Sequence, residues 1–310
     1  MSIEKLEKRF LPPENWQKSE FINPETGHRI HFEYGSIKDN LNGVVITLPG
    51  LSEFCEKYYE TAQFFINKGY GFVVIDWAYQ GRSSRFTQNQ HKRHSDGYES
   101  DISDLKYLID NYINKNIPLF MLGHSMGGHI GLRFLIKHRN YFKSASFSAP
   151  MIGIHDLKYT GWLIKILKPV FKVFETSYVP GGKNWRKESR KSNGKDVFSS
   201  DPVRDSLHNF WCLEDPALQI GNPTIKWVLE SLKSIDLLKK NFESINIATL
   251  IGVAELEEIV CNEAIEKIVS KNLKARLIKL REAKHEILME TDNIRNQFLN
   301  ETLALFKKSI

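Results

Sequence analysis

Residues 118–135, PLFMLGHSMGGHIGLRFL, set a serine between glycines where an apolar run gives way to an amphipathic one. Phe120, Met121 and Leu122 carry a strand pattern; Ile130, Leu132, Phe134 and Leu135 carry a helical one. A strand that enters a helix within a few residues must turn sharply, and the residue at the apex is held in a strained conformation with its side chain outward. Gly123 and Gly127 leave room for that turn, which presents Ser125 as a candidate nucleophile. The same residues could form an ordinary β-α connection. What decides is whether the chain also supplies a base, an acid and an oxyanion site.

A serine hydroxyl is a weak nucleophile near neutral pH, so it needs an imidazole within hydrogen-bond reach and a carboxylate to orient that imidazole. Of the ten histidines, His285 in LREAKHEILMETD follows a strand pattern ending near Leu280 and precedes the last helical pattern. That agrees with the chain order serine, acid, histidine. His124, inside the turn, is expected to pack beneath it, whereas His91 and His94 lie in a polar loop and are expected in solvent. The acid should follow the strand pattern INIATLIGV, where Glu255, Glu257 and Glu258 are available. A carboxylate followed by x-Ile-Val favours Glu257, with Ile259 and Val260 as loop anchors; Glu255 is the alternative and Glu258 is expected in solvent. The oxyanion needs two backbone donors, one after the nucleophile and one after an earlier strand. Met126 supplies the first, and Leu51 in TLPGLSEF the second, because Gly50 permits close backbone approach.

These groups need a scaffold that brings distant segments to one edge. Strand patterns at RIHFEYG, GVVITLPG and YGFVVID, with a helical CEKYYETAQFFINKG between the last two, describe parallel pairing. YESDISDLKYLIDNYINKN reads as a helix with Ile102, Leu105, Leu108, Ile109 and Tyr112 on one face. KSASFSAP is a further strand, and after a long interruption the alternation resumes with INIATLIGV, a helix from about Asn262, KARLIKL and a last helix, TDNIRNQFLNETLALFKK. The expected architecture is a doubly wound, mostly parallel α/β sheet built from residues 1–150 and 246–310. Residues 151–245, with helical patterns and a turn-rich VPGGKNWRKESRKSNGKD, are expected to form a mainly helical cap over the sheet's carboxyl edge.

Composition narrows the function classes. With 310 residues, 41% hydrophobic and 26% charged, the chain can bury a full core. The start, MSIEKLEKRFLPPENW, lacks an apolar signal region, and no run reaches the roughly 18 apolar residues of a membrane span. Three cysteines without C-x-x-C spacing argue against a disulfide framework and a zinc site, and a cytoplasmic location is expected. The net charge of +6 is spread along the chain except in the enriched region 158–195, and no base-reading helix or aromatic RNA signature accompanies it, so no nucleic-acid partner is expected. Lys158, Lys165, Lys168 and Lys172 recur at helical spacings, with Trp162, Ile166, Val170 and Phe174 able to share another face. That pattern suits a lid over an acyl pocket, and also peripheral contact with an anionic membrane.

At these residues the sequence resembles the bacterial lysophospholipase and monoacylglycerol lipase branch of the α/β-hydrolases. The likeness runs through LPGLSEFCEKYYETAQFFINKGYGFVVIDWAYQGRSSR, GHSMGGHIGLRFL, SSDPVRD, GNPTIKWVLESL, AELEEIVCNEA and AKHEILMETDNIRNQFL. The resemblance implies the α/β-hydrolase fold, the triad Ser125, Glu257 and His285, and Leu51 and Met126 as oxyanion donors. The chain departs in having Pro49-Gly50 where the family often has His-Gly, and Glu where related lipases commonly have Asp. The expected activity is a serine carboxyl-ester hydrolase acting through an acyl-enzyme, without metal or cofactor, on a small acyl ester such as a lysophospholipid or monoacylglycerol. A short ester, an acyl thioester or an amino-terminal peptide residue are the alternative substrates, and a non-catalytic binding protein is the alternative class. No protein partner is inferred.

Overall fold

The computed structural model describes residues 3, 6–36, 41–155, 173–192 and 195–310. Eight strands form one sheet: β1 (Gln17–Ile22), β2 (Arg29–Gly35), β3 (Gly43–Leu48), β4 (Tyr70–Ile75), β5 (Leu119–His124), β6 (Ser144–Ser148), β7 (Ala248–Ala254) and β8 (Ala275–Leu280). Their order is β1-β2-β4-β3-β5-β6-β7-β8. Only β2 runs against the others, pairing antiparallel with β1 and β4. Every residue of β3, β4, β5 and β6 is buried. This explains the near-continuous apolar runs of β3, β4 and β5, since a parallel strand covered on both faces has no solvent side to encode, whereas β6, SASFS, is buried with three serines. β1 is the strand that the sequence pattern did not announce: in QKSEFI only Phe21 is buried, so the strand carries almost no hydrophobic period.

Helices cover both faces. α1 (Tyr59–Ile66) and the final helix share one face with β5, where Phe306 stacks on Phe120 at 4.6 Å and meets Phe65 at 5.9 Å. On the other face α3 (Ser125–Lys137) lies so close to the sheet that a Cβ on Gly131 would come within 2.6 Å of the Met121 sulfur. α2 (Tyr98–Tyr112) buries Ile102, Leu105, Leu108 and Ile109 as its periodicity requires, while Tyr112 stays half open and stacks on Phe21 at 5.4 Å.

Between β6 and β7 the described residues include α4 (Pro202–Glu214) and α5 (Ile225–Asn241). Asp201 caps α4 through the N–H groups of Val203 and Arg204, with Pro202 at the first helical position; Thr224 caps α5 through Trp227. α5 rests on the α2–α3 pair through buried polar contacts: Ser231 with Tyr98 at 2.7 Å, and Ser234 with His129 at 2.7 Å and Arg133 at 2.6 Å. Beyond β7 come α6 (Asn262–Val269) and, after β8, α7 (Asp292–Lys308). The three cysteines are buried and none is in a disulfide.

The parallel register places Leu48 beside Gly123, His124 beside Ser148, and Ala254 beside Leu280. Five strands, β3 and β5 to β8, therefore end close to level at one edge, which is where an open α/β sheet binds its ligand. The aromatic stack around Phe306 holds the α7 face of this sheet without touching that edge. Phe306→Ala should therefore cost about 3–5 kcal/mol of stability in a chemical denaturation series. Catalytic activity per folded molecule should stay at the unmutated level.

Candidate active site

β5 delivers its chain into α3 through Ser125, whose φ is +50°. A non-glycine residue held there is strained, and the surroundings show why the strain persists. A Cβ at Gly123 would lie 2.9 Å from Gly128 Cα, and one at Gly127 would collide with the backbone of Leu48 and Pro49. Only glycines let α3 start this close to the ends of β3 and β5. His124, directly before the serine, is buried and hydrogen-bonded beneath the turn, with Nδ1 3.1 Å from the Ser148 carbonyl; burial pushes its pKa down to about 4. His94, expected in solvent, is instead buried, with Nδ1 2.9 Å from Thr224 Oγ1. Its polar loop is covered by the 223–224 segment, with Arg93 bridged to Pro223 and Thr224 donating to Arg93, a contact across 130 residues that local pattern cannot register.

The structure brings Ser125, His285 and Glu257 together. His285 Nε2 lies 2.9 Å from Ser125 Oγ, and Nδ1 lies 2.8 Å from Glu257 Oε2 and 3.0 Å from Oε1. The Glu257 side chain is only 1% exposed and is aimed by its own loop, because Oε1 accepts the N–H groups of Ile259 at 2.8 Å and Val260 at 3.1 Å. The Ile-Val pair thus anchors the acid through its backbone. Glu255 points away and is solvent-exposed, accepting from the Glu282 N–H at 3.0 Å; Glu258 is exposed as well. Burial disfavours the charged form of both His285 and Glu257, but their mutual attraction outweighs it. The imidazole pKa is raised above 6.5 and the carboxyl pKa lowered below 4.5.

The loop after β3 lies against the serine: a Cβ on Gly50 would sit 3.2 Å from Ser125 Cβ and 3.0 Å from His124 Cδ2. Among the described residues, neither the Leu51 N–H nor the Met126 N–H has a hydrogen-bond partner. Glu53 holds this loop with Oε2, which accepts from the Gly50 N–H and the Tyr58 hydroxyl, both at 2.6 Å. Its Oε1 meets Lys57 at 2.6 Å, and Lys57 reaches Glu286 at 2.8 Å, next to the histidine; Arg190 clamps Glu286 at 3.1 and 3.0 Å. Burial opposes ionisation of Glu53 and Glu286, yet Lys57 at the first, and Arg190 with Lys57 at the second, hold both pKa values below the ordinary carboxyl range. Sequence reasoning did not single out this chain of buried charges, because Lys57 in CEKYYE looks like any solvated helix lysine and its second partner is 229 residues away.

Gly50, Leu51, Ser125, His285 and Val260 open into a cavity of about 510 Å³. Its remaining walls are largely apolar, including Met151, Ile154, Val197, Phe198, Ile220 and Trp227. Among the described residues one group, His31, Glu33 and Cys55, places three potential metal-ligating atoms within 4.8 Å. These side chains are already engaged: His31 with Glu33 at 3.1 Å, Glu33 with Trp16 and Tyr59, and the Cys55 thiol with Asp76 at 3.3 Å. Lys18 and Arg82 supply the positive charge there, so the cluster does not fit a metal.

A raised folded pKa means that the protonated His285 contributes stability below the unfolded value and loses it as pH rises through the folded one. Glu257 works in the opposite direction, losing its contribution as pH falls through its depressed pKa. In an NMR titration of ¹⁵N-labelled protein, assigned by loss of the signal in His285→Gln, His285 should titrate above 6.5, and Glu257→Gln should move that midpoint downward while Glu255→Gln leaves it in place.

A family model described as serine aminopeptidase, S33, matches residues 39–292. A probable lysophospholipase L2 of Haemophilus influenzae is 30% identical over 273 residues, covering 83% of each chain. The lysophospholipase L2 of Escherichia coli K12 is 27% identical over 276 residues, 86% of this chain and 80% of that one. The solved structure of a soluble variant of monoglyceride lipase from Saccharomyces cerevisiae matches with a TM-score of 0.71 at 18% identity, covering 95% of this chain and 96% of that one. The family match runs from before β3 to the start of α7 and so takes in every strand that ends at the site. This chain belongs to the serine aminopeptidase S33 family and is an α/β-hydrolase enzyme.

Proposed function

We propose that this protein is a serine ester hydrolase that cleaves single-chain acyl lipids, lysophospholipids or monoacylglycerols, through an acyl-enzyme. The observation that carries the reading is the hydrogen-bonded chain Ser125–His285–Glu257 opening into a largely apolar cavity, of a volume suited to a small ligand. Ser125 Oγ attacks the ester carbonyl carbon as its proton passes to His285 Nε2. The oxyanion forms opposite the N–H groups of Leu51 and Met126. When the intermediate collapses, the glycerol oxygen leaves with the proton from His285, and water repeats the sequence on the acyl-enzyme to release a fatty acid and restore the serine. Glu257 keeps the imidazole in the right tautomer and stabilises its cation. The names of the lysophospholipase and monoglyceride lipase relatives support the substrate class.

The family description also raises an amino-terminal peptide substrate. An exposed carboxylate would be needed to hold the peptide's ammonium, but the two acids that the described residues place in the cavity wall, Glu53 and Glu286, are saturated by Lys57, Tyr58 and Arg190. This favours a lipid ester. We further propose that residues 151–245 act as a cap, since Val179, Trp185, Val197, Phe198, His208 and Ile220 from that segment all line the cavity.

Among the described residues no helix is long and apolar enough to cross a membrane. The basic residues Lys158, Lys165, Lys168 and Lys172, with Trp162, Ile166 and Val170, lie outside the described residues. Directly after them Val173 is 80% and Phe174 55% exposed, an apolar pair beside a basic stretch. This supports the reading that a cytoplasmic form of the protein touches an anionic membrane through that edge.

Ser125→Ala should lower turnover roughly 10⁴-fold or more while the protein stays folded, and should abolish fluorophosphonate labelling. On a panel of lysophospholipids, monoacylglycerols, short esters and aminoacyl amides, the unmutated enzyme should prefer long-chain esters. A preference for aminoacyl amides would reverse the assignment. The rate should climb with pH as His285 loses its proton, with a midpoint above 6.5. In sedimentation with vesicles, the protein should pellet with anionic but not zwitterionic lipid. Moderate salt, or joint neutralisation of Lys165, Lys168 and Lys172, should release it.

A further inference from the structure

The segment DWAYQGRSSR follows β4 and supplies none of the groups assigned above to the acyl transfer. It nevertheless touches the oxyanion loop at several points. Gln80 is fully buried, and its amide nitrogen donates to the Gly50 carbonyl at 2.8 Å and to the Glu53 carbonyl at 2.9 Å. Its amide oxygen accepts the Ser52 N–H at 3.2 Å. Trp77 Nε1 donates to the Pro49 carbonyl at 2.9 Å. Side chains from one strand end therefore grip the main chain of residues 49–53.

The Gly50 carbonyl belongs to the same planar peptide unit as the Leu51 N–H, and in a trans peptide the two point in opposite directions. Gly50 imposes little steric preference on the rotation that aims this unit. Its orientation must come from outside. The carbonyl takes two donors, Gln80 and the Glu53 N–H at 3.3 Å, and both draw it away from the side on which the Leu51 N–H projects. We infer that Gln80 is a positioning residue of the oxyanion hole: by holding the Gly50 carbonyl it turns the Leu51 N–H toward the developing oxyanion. This rests on the reading of Leu51 as an oxyanion donor, which can be tested separately.

The turn makes that separation possible. Ser52 has φ +61° and Glu53 donates to Gly50, so residues 50–53 form a type II turn with Leu51 at its second position. Proline is favoured at that position, so Leu51→Pro removes the N–H while keeping the turn. Gln80→Met keeps the length of the side chain without its hydrogen bonds, and Gln80→Glu keeps its shape but sets a carboxylate against two carbonyls.

The experiment measures kcat and KM on p-nitrophenyl butyrate, inhibition by an alkyl trifluoromethyl ketone, and thermal unfolding, for all three variants beside the unmutated enzyme. Loss of an oxyanion donor costs about 10²–10³ in kcat, so Leu51→Pro should fall in that range. Gln80→Met and Gln80→Glu should lose about 10–100-fold in kcat, less than complete loss of the donor. KM should change little, and affinity for the ketone, which forms a tetrahedral adduct, should weaken by the same factor as kcat/KM. A general structural defect would lower the unfolding temperature without that proportionality. If Leu51→Pro is crippled while either folded Gln80 variant keeps unmutated kcat and ketone affinity, Gln80 does not position the hole. If Leu51→Pro itself keeps full kcat, Leu51 is not a donor and the inference falls with that assignment.

Discussion

The arrangement depends on one buried imidazole that must bond at both ring nitrogens at once. His285 is nearly sealed from solvent, so water cannot substitute for a missing partner, and an error of an ångström at either end would break one contact or the other. Ser125 comes from the end of β5, Glu257 from the loop after β7 and His285 from the loop after β8. No local interaction brings these together. The level ends of parallel strands do, and that explains why the molecule devotes four fully buried strands to a rigid platform.

Electrostatics around this imidazole follow from its burial. Its protonated form is favoured by Glu257, whose own charge is kept by His285 and by two backbone N–H groups. A second layer repeats the pattern, with Glu53 and Glu286 ionised only because Lys57 and Arg190 stand beside them. Such pairs add little net stability when compared with apolar residues of the same shape, but removing one partner strands a charge in a low-dielectric interior. Their service here is geometric: Glu53 binds the loop after β3 and Glu286 follows the histidine, so Lys57 ties the two halves of the site together.

Much of this was legible in the sequence because it is written locally. A glycine-flanked serine between a strand pattern and a helix pattern, a carboxylate two residues before Ile-Val, and a histidine after the last strand pattern can each be picked out within a dozen residues, and the structure brings these three together. β3, β4 and β5 were legible for the same reason, their burial leaving nearly unbroken apolar runs. β1 was not, because an edge strand with one buried residue leaves no period to read. Nor were Gln80, Lys57 or His94, whose meaning lies in partners far along the chain. Gln80 bonds to Gly50, thirty residues earlier, and a buried lysine looks like a solvated one until its second carboxylate, over two hundred residues on, is known.

The grip of Arg190 on Glu286 decides where the segment between β6 and β7 is fastened. Arg190 belongs to the segment between β6 and β7, and its two nitrogens hold both oxygens of a carboxylate fixed beside the histidine. It also reaches Asp205 at 2.9 Å in α4, so strand-edge loop and covering helix meet at a single guanidinium. Moving Arg190 away would take a cation out of a dry pocket and leave Glu286 with Lys57 as its remaining partner, while Asp205 would travel with Arg190. That one guanidinium is thus a rivet between the strand edge and the stretch of chain that carries α4.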